Sequence, residues 1–487
     1  MNIPPKSPPA LKRTGIILQP DRKRVLIRPF IPSNRKSAER RAQRLLALSE
    51  KQNQILLNEV FHEFQGRHPQ QIQELLMNQF ENLPNWLIPD ASISSERKQL
   101  IAAYFSNEYS LEAAALFNPS IVPHPEQGEK GLNFILSLRA TGEGHISSIE
   151  FRTGFVDDHQ KITIHSPNRH VTAPQQIKNA SYEKSLFERK LQELGHLNER
   201  SRGMLASCGE TFTFEELRRS LYPTLEESGI DDPNFDRDAR AILLLARSNY
   251  EVKFSPKQNL SERILFPSSP TEVNGIEDAR FVLFQNTDGS KMYYATYTAY
   301  DGKCILPQLL ETPDFLHFRF NTLNGPAVQN KGMALFPRKI NGLYAMLARQ
   351  DDENIFIMFS DHLYFWYSTQ ILLEPRYPWE FVKIGNCGSP IETEAGWLVL
   401  THGVGAMRKY SIGAILLDLN DPTRVIGRLQ EPLITPDEIE REGYVPNVVY
   451  TCGALAHDRT LIIPYAMSDS ASSFATVSID DMLSAMV

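Results

Sequence analysis

Cysteine is scarce in this chain: four residues in 487, Cys208, Cys304, Cys387 and Cys452, widely spaced and without a CxxC pair. That spacing indicates neither a zinc site nor a disulfide framework, so the four read as buried or free thiols of a reducing compartment. Long hydrophobic runs are missing too. No stretch approaches the ~20 apolar residues a membrane span needs. Residues 1–36, with seven prolines and many basic side chains, lack the apolar core of a secretory signal. The expectation is a cytoplasmic protein without a membrane partner. Positive charge is not in surplus: a net charge of −7 gives no electrostatic reason to expect nucleic acid. Nothing indicates a metal or an organic cofactor.

What is present is ordinary globular composition, 41% hydrophobic and 22% charged, with a recurring pattern inside it. Strand-like runs at 280–284 and 292–298 flank Asp288-Gly289, and runs at 334–340 and 343–348 flank Asn341-Gly342. Two more pairs, 390–393 with 397–401 and 453–457 with 460–464, flank Ala395-Gly396 and Asp458-Arg459. Turn dipeptides between β-rich runs signal hairpins. A repeat of about 40–50 residues is the period of a propeller blade. With strand blocks near 134–165, 280–300, 334–365, 390–417 and 453–478, the expected fold is all-β, a five-bladed propeller over 116–487.

Two helical regions interrupt this picture. Apolar residues at helical spacing over 38–60, 69–80 and 95–105 predict a small α-helical extension at 37–115, behind an extended arm at 1–36. A second set, including Leu186, Leu191, Leu217, Leu221 and Leu245, predicts a helical insertion over about 182–248. The basic start of the first region, Arg35-Lys-Ser-Ala-Glu-Arg-Arg-Ala-Gln-Arg44, reads as a solvated helix face.

Six motifs then occur in order: Gly275-Ile-Glu-Asp-Ala-Arg280, Tyr294-Ala-Thr-Tyr-Thr-Ala-Tyr300, Asn330-Lys-Gly-Met-Ala-Leu-Phe-Pro337, Gly396-Trp-Leu-Val-Leu-Thr-His-Gly403, Leu416-Leu-Asp-Leu-Asn-Asp-Pro422 and Val445-Pro-Asn-Val-Val-Tyr450. Together they resemble glycoside hydrolase family 130, the β-mannoside phosphorylases and related β-mannosidases, over roughly residues 115–487. The resemblance implies a five-bladed β-propeller, in agreement with the repeats. It also implies inverting cleavage of a β-mannoside by inorganic phosphate to give α-mannose 1-phosphate, although other members use water. Phosphate is then a co-substrate and a short β-mannoside the substrate. Separately, the N-terminal helices are expected to cover a propeller face or build an interface, which makes a second copy of the chain a candidate partner.

Asp278 is the candidate general acid, since breaking a glycosidic bond needs a proton delivered to the leaving oxygen. Adjacent Glu277 is expected to raise its pKa and keep that proton in place. In the family the matching aspartate acts through a sugar hydroxyl. Glu277 and Arg280 are candidate substrate contacts, or partners with Asp278 in a structural ion network. The resemblance assigns Lys331 and His402 to phosphate, with Arg408 as a further charge. Asn118 resembles an early asparagine of the family's sugar subsite; Arg139, Arg152 and Tyr300 are further candidates for the sugar. The sequence departs from the phosphorylase pattern after Tyr300, where an arginine is expected. Lys303 could substitute, but without a bidentate fork. Glu311 in the same stretch could be the base of a water-using enzyme. Phosphorolysis, hydrolysis by an inverting β-mannosidase and a non-catalytic glycan- or protein-binding propeller are the three readings, in that order.

Overall fold

The computed structural model describes residues 8–68, 72–88, 92–177, 180–227, 237–302 and 305–487, with the side chains of 222–227 left aside. Four helices form the first region: Arg35–Leu46, Glu50–Phe64, Ile72–Glu81 and Ser95–Tyr104. Their starts are set by side chains that satisfy otherwise orphaned amides. Asn34 accepts from Ser37 N, Ser49 forms a capping box with Gln52, and Ser94 accepts from Arg97 N. The helices bury Leu45, Leu57, Leu100, Ile101 and Phe105 against one another. Arg97, itself buried, donates to the carbonyls of Leu45, Leu46 and Leu48, which caps the first helix at its C-terminal end. Among the described residues no helix is long and apolar enough to cross a membrane.

The rest is mostly β. Five antiparallel sheets hold four to six strands each. The first contains Ala115–Pro123, Leu132–Thr141, Ser147–Val156 and Ile162–Ile164. The second runs Ile276–Gln285, Lys291–Tyr300, Ile305–Thr312 and His317–Thr322, then adds Tyr250–Lys253 and Gln175–Ile177. The third is Lys331–Leu335, Tyr344–Arg349, Ile355–Ser360 and Ser368–Leu373. The fourth is Lys383–Asn386, Gly396–Val404, Tyr410–Leu417 and Val425–Arg428, with Ile391–Thr393 beside its second strand. The fifth is Val449–Tyr450, Thr460–Met467, Ala471–Ser478 and Leu11–Leu18, with Leu455–His457 alongside. Ala115–Pro123 packs against Ile276–Gln285, which packs against Lys331–Leu335, which in turn meets Lys383–Asn386. Tyr410–Leu417 meets Val449–Tyr450, and Thr460–Met467 returns to Ala115–Pro123.

The segment read as an extended arm is instead two paired strands. Leu11–Leu18 pairs with Ala471–Ser478, and Val25–Pro29 pairs with Ser106–Ser110. Flanking prolines hid the alternation in Leu11-Lys-Arg-Thr-Gly-Ile-Ile-Leu18. The helical insertion is strung between the two outermost strands of the second sheet, Gln175–Ile177 and Tyr250–Lys253. Its helices Lys184–Glu193, Glu199–Leu205, Phe214–Glu227 and Arg237–Arg247 have their own core of Phe187, Leu191, Leu205, Phe212 and Ile242. Lys190 Nζ donates to Leu323 O (2.9 Å) and Glu193 accepts from Gly325 N (2.6 Å), fastening the insertion to the sheet.

One irregularity recurs at the first strands. Each of the first three sheets has a register shift there, between Phe117 and Ser120, Glu277 and Arg280, and Lys331 and Ala334. Within the shift, Asn118, Asp278 and Gly332 have φ of 47°, 53° and 90°. Such bulges re-aim a side chain, and Asn and Asp tolerate the left-handed conformation better than most residues. A second regularity precedes them: Glu112, Glu272 and Glu380, all buried, stand six residues ahead of Asn118, Asp278 and Asn386. Glu272 accepts from Ser268 N and Ser269 N (both 3.1 Å) and from the hydroxyls of Tyr250 and Tyr297. Glu380 likewise accepts from Arg376 N and Tyr377 N (both 2.9 Å) and from Arg428.

Candidate active site

The bulges bring Asn118, Asp278 and Lys331 to one place, and the second strands add two arginines at matching positions. Arg139 pairs with Phe117, and Arg349 pairs with Lys331. Arg139 Nη2 lies 2.7 Å from Glu277 Oε1, and its Nη1 lies 3.8 Å from Asp278 Oδ1. Lys331 Nζ stands 3.9 Å from Glu277 Oε2. Arg280 is buried beneath, donating to Cys387 O (2.7 Å) and to the Tyr450 hydroxyl (2.6 Å). Asn118 Nδ2 donates weakly to Cys452 Sγ at 3.9 Å.

Burial alone would raise the pKa of Asp278, but Lys331, Arg280, Arg139 and Arg349 outweigh it and hold the carboxyl below its ordinary range. This corrects the expectation that Asp278 keeps its proton in the free protein. The carboxyl beside Asp278 that titrates high is Asp469, pushed up to about 6 by burial and by the charge of Asp278, against the opposing pull of Arg139, Arg408 and Lys331. Asp469 sits in the turn between Thr460–Met467 and Ala471–Ser478.

His402 and Arg349 form the other half of the cluster. Arg349 Nη1 is 2.9 Å from His402 Nε2. A guanidinium only donates, so Nε2 accepts and the imidazole proton resides on Nδ1. Burial, reinforced by Arg349, Arg280, Lys383 and Lys331, pushes the His402 pKa well down. His402 is therefore a neutral residue that orients Arg349, and the expected positive charge at 402 is corrected. The close approach depends on Gly385, where a Cβ would lie 2.4 Å from His402 Cε1 and 2.9 Å from Arg349 Cδ. Within this cluster, Asn118 Oδ1, Arg139 Nε, Arg349 Nε, Asn386 Oδ1 and His402 Nδ1 are buried and have no hydrogen-bond partner among the described residues. Buried polar atoms are nearly always satisfied, so a cluster of such atoms marks a place for a polar ligand.

Other predicted residues go elsewhere. Arg152 lies in a buried quartet, 2.7 Å from Glu112 and 3.0 Å from Glu150, with Arg24 bonded to the same two carboxylates. Its charge is consumed there, so it is not available to a sugar. Glu311 accepts from Asn321 (2.5 Å) and the Tyr364 hydroxyl (2.6 Å). It is two strands out from Asp278 and three residues along, which strand geometry makes about 14 Å between their main chains. With its carboxyl engaged by Asn321 and Tyr364, it is not drawn into the cluster around Asp278. Tyr300 ends its strand and clasps the loop before Asp278 through its main chain, its carbonyl accepting from Asn274 N at 3.0 Å. Arg408 is exposed at the rim, 5.9 Å from the Tyr410 ring. Lys303 and Cys304 lie outside the described residues. Arg349 and Asp469 escaped the sequence reading: a lone arginine at a strand end and an aspartate in a Ser-Asp-Ser turn carry no local motif. Only the strand register that equates Arg349 with Arg139 could have found the first.

Residues 239–487 match the profile of glycoside hydrolase family 130, described as beta-1,4-mannooligosaccharide phosphorylase. The chain belongs to this family. The match is narrower than the resemblance over roughly 115–487 and leaves the first sheet, with Asn118 and Arg139, outside it. Family relatives include a 1,2-beta-oligomannan phosphorylase of Thermoanaerobacter sp. (strain X514), 36% identical over 231 residues, 46% of this chain and 75% of that one. A beta-1,2-mannobiose phosphorylase of Listeria innocua is 34% identical over 286 residues, 53% of this chain and 78% of the relative. Among solved structures, the beta-1,2-mannobiose phosphorylase from Listeria innocua in complex with beta-1,2-mannobiose superposes with a TM-score of 0.47 at 22% identity, over 76% of this chain and 92% of that one.

Proposed function

We propose that this protein cleaves short β-mannosides with inorganic phosphate, inverting the anomeric centre and releasing α-mannose 1-phosphate. The observation that carries the reading is charge. Lys331, Lys383, Arg139, Arg280, Arg349 and Arg408 face four carboxylates, Glu277, Asp278, Asp352 and Asp469. Six against four leaves a surplus of two positive charges, matched to a phosphate dianion. Arg349 supplies the bidentate fork that the sequence after Tyr300 lacks. The names of the relatives point to the same chemistry.

In this reading phosphate, held by Lys331 and Arg349, attacks the anomeric carbon as the glycosidic C–O bond breaks. The leaving oxygen takes up the proton that Asp278 supplies. The dianion also offsets the cations that hold Asp278 ionised, so its binding drives the carboxyl toward the protonated form the reaction requires. The five sheets are read as the blades of a propeller, with the bulged first strands facing its axis. Free thiols at Cys208, Cys387 and Cys452 suit a cytoplasmic enzyme.

The test is incubation with β-1,2- and β-1,4-mannobiose, with and without phosphate, followed by phosphorus NMR. Saturable, phosphate-dependent formation of α-mannose 1-phosphate is expected. Arg349→Ala should raise the phosphate KM by about 10–150-fold, the equivalent of losing a charged hydrogen bond of about 1.5–3 kcal/mol. Free mannose released equally fast without phosphate would replace this reading by hydrolysis.

A further inference from the structure

Two loops at the rim of the cluster carry a stacked aromatic pair that none of the chemistry above uses. His145 and Tyr444 have ring centroids 5.6 Å apart and planes 29° apart. His145 is exposed, and Tyr444 is 66% exposed. Stacked in this way, each ring covers one face of the other and leaves its outer face open.

Both loops are tied to site residues. His145 lies in the turn between Leu132–Thr141, which bears Arg139, and Ser147–Val156. Tyr444 N donates to Ser470 Oγ (2.8 Å) and Val445 N donates to Ser468 O (3.0 Å), on either side of Asp469. The exposure of Tyr444 occurs on a firmly held backbone. Buried Glu440 anchors its loop by accepting from Arg13 Nε (2.8 Å), the Tyr465 hydroxyl (2.5 Å) and Asp437 N (3.1 Å). On the other side, the Tyr109 hydroxyl donates to Glu143 O (2.8 Å) and Ile146 O (3.2 Å). An exposed aromatic face on a fixed loop needs no ordering when a ligand arrives.

We propose that the His145–Tyr444 stack is the platform for the leaving-group sugar, the unit beyond the bond being cut. This rests on the mannoside reading above. A pyranose presents an apolar face of C–H groups, and a rigid aromatic beside convergent polar groups is how sites hold such a face. Asp469 and Arg139, next to the two loops, would take the hydroxyls at the ring edge. The platform thereby sets which sugars serve as leaving group, and as acceptor in the reverse direction, without touching the phosphate.

The experiment has a binding arm and a turnover arm. In an Asp278→Asn background, calorimetry with β-1,2-mannobiose and β-1,4-mannobiose should show about tenfold weaker binding of at least one when Tyr444→Ala or His145→Ala is added, and near-normal binding with Tyr444→Phe. In the otherwise wild-type enzyme, Tyr444→Ala should raise the saccharide KM, and the acceptor KM with α-mannose 1-phosphate, by a similar factor. The phosphate KM and kcat should stay within twofold. Folded Tyr444→Ala protein that binds both disaccharides as tightly as its parent overturns the platform, as does a parent that binds neither. Weakened binding without phosphate-dependent turnover would sink the phosphorylase reading and leave the platform standing.

Discussion

Replacing Asp469 by asparagine tests the electrostatics of the cluster through stability instead of turnover. The carboxyl of Asp469 is raised from 3.8 to about 6 in the folded protein. Between those two values the folded state holds more protons than the unfolded chain, so stability falls as pH rises through the window. At 1.36 kcal/mol per pKa unit, a shift of about two units costs the folded protein about 3 kcal/mol once Asp469 is ionised, above pH 6. Asparagine cannot ionise and tolerates the left-handed backbone at 469 (φ 52°). Asp469→Asn should therefore be about 3 kcal/mol more stable at pH 8, with the gap closing toward pH 4. Urea unfolding followed by tryptophan fluorescence, at both pH values and with unchanged m, measures this. An equal or lower midpoint for the variant at pH 8, or the same gap at both pH values, would refute the placement of Asp469 beside Asp278.

Three further outcomes are expected. Asp278→Asn should lose about 10²–10⁴-fold in turnover while retaining its melting temperature, as removal of a general acid does; a variant with near-wild-type rates would remove Asp278 from the chemistry. Glu311→Gln should keep kcat within twofold, because its carboxyl faces Tyr364 and Asn321; a dead but folded variant would reinstate it as a base. Arg152→Ala should destabilise by about 3–5 kcal/mol, since it strips a partner from Glu112 and Glu150 in a buried network. Its saccharide KM should not move, and a KM rise at unchanged stability would restore Arg152 to the sugar site.

Much of the scaffold was legible because hairpins announce themselves locally. Asp288-Gly289, Asn341-Gly342 and Asp458-Arg459 all lie in turns of the observed hairpins. The helical spacing over 38–60 reads as continuous, whereas the structure breaks it at Ser49, whose capping box starts a second helix. The strand Leu11–Leu18 was not legible, because what stabilises it is a partner more than 450 residues away in sequence. The same limit governed the site. Asp278, Glu277 and Arg280 sit in one motif, whereas Arg349, His402 and Asp469 meet only through register across three sheets. Charge state was the least legible property. A histidine in sequence looks like a cation, and only the guanidinium 2.9 Å from its Nε2 fixes it as neutral.

The buried glutamates six residues ahead of Asn118, Asp278 and Asn386 separate two duties that active sites often combine. Backbone placement at Asp278 is fixed upstream, by Glu272 gripping two amides and two tyrosine hydroxyls, and locally by the bulge. The side chain that projects at Asp278 is left free of any scaffolding task. Glu380 repeats the grip on two amides ahead of Asn386, so two sockets of one design carry an acid and an asparagine. The reactive group can be exchanged, or its duty moved to a neighbouring socket, while the frame that aims it stays as it is.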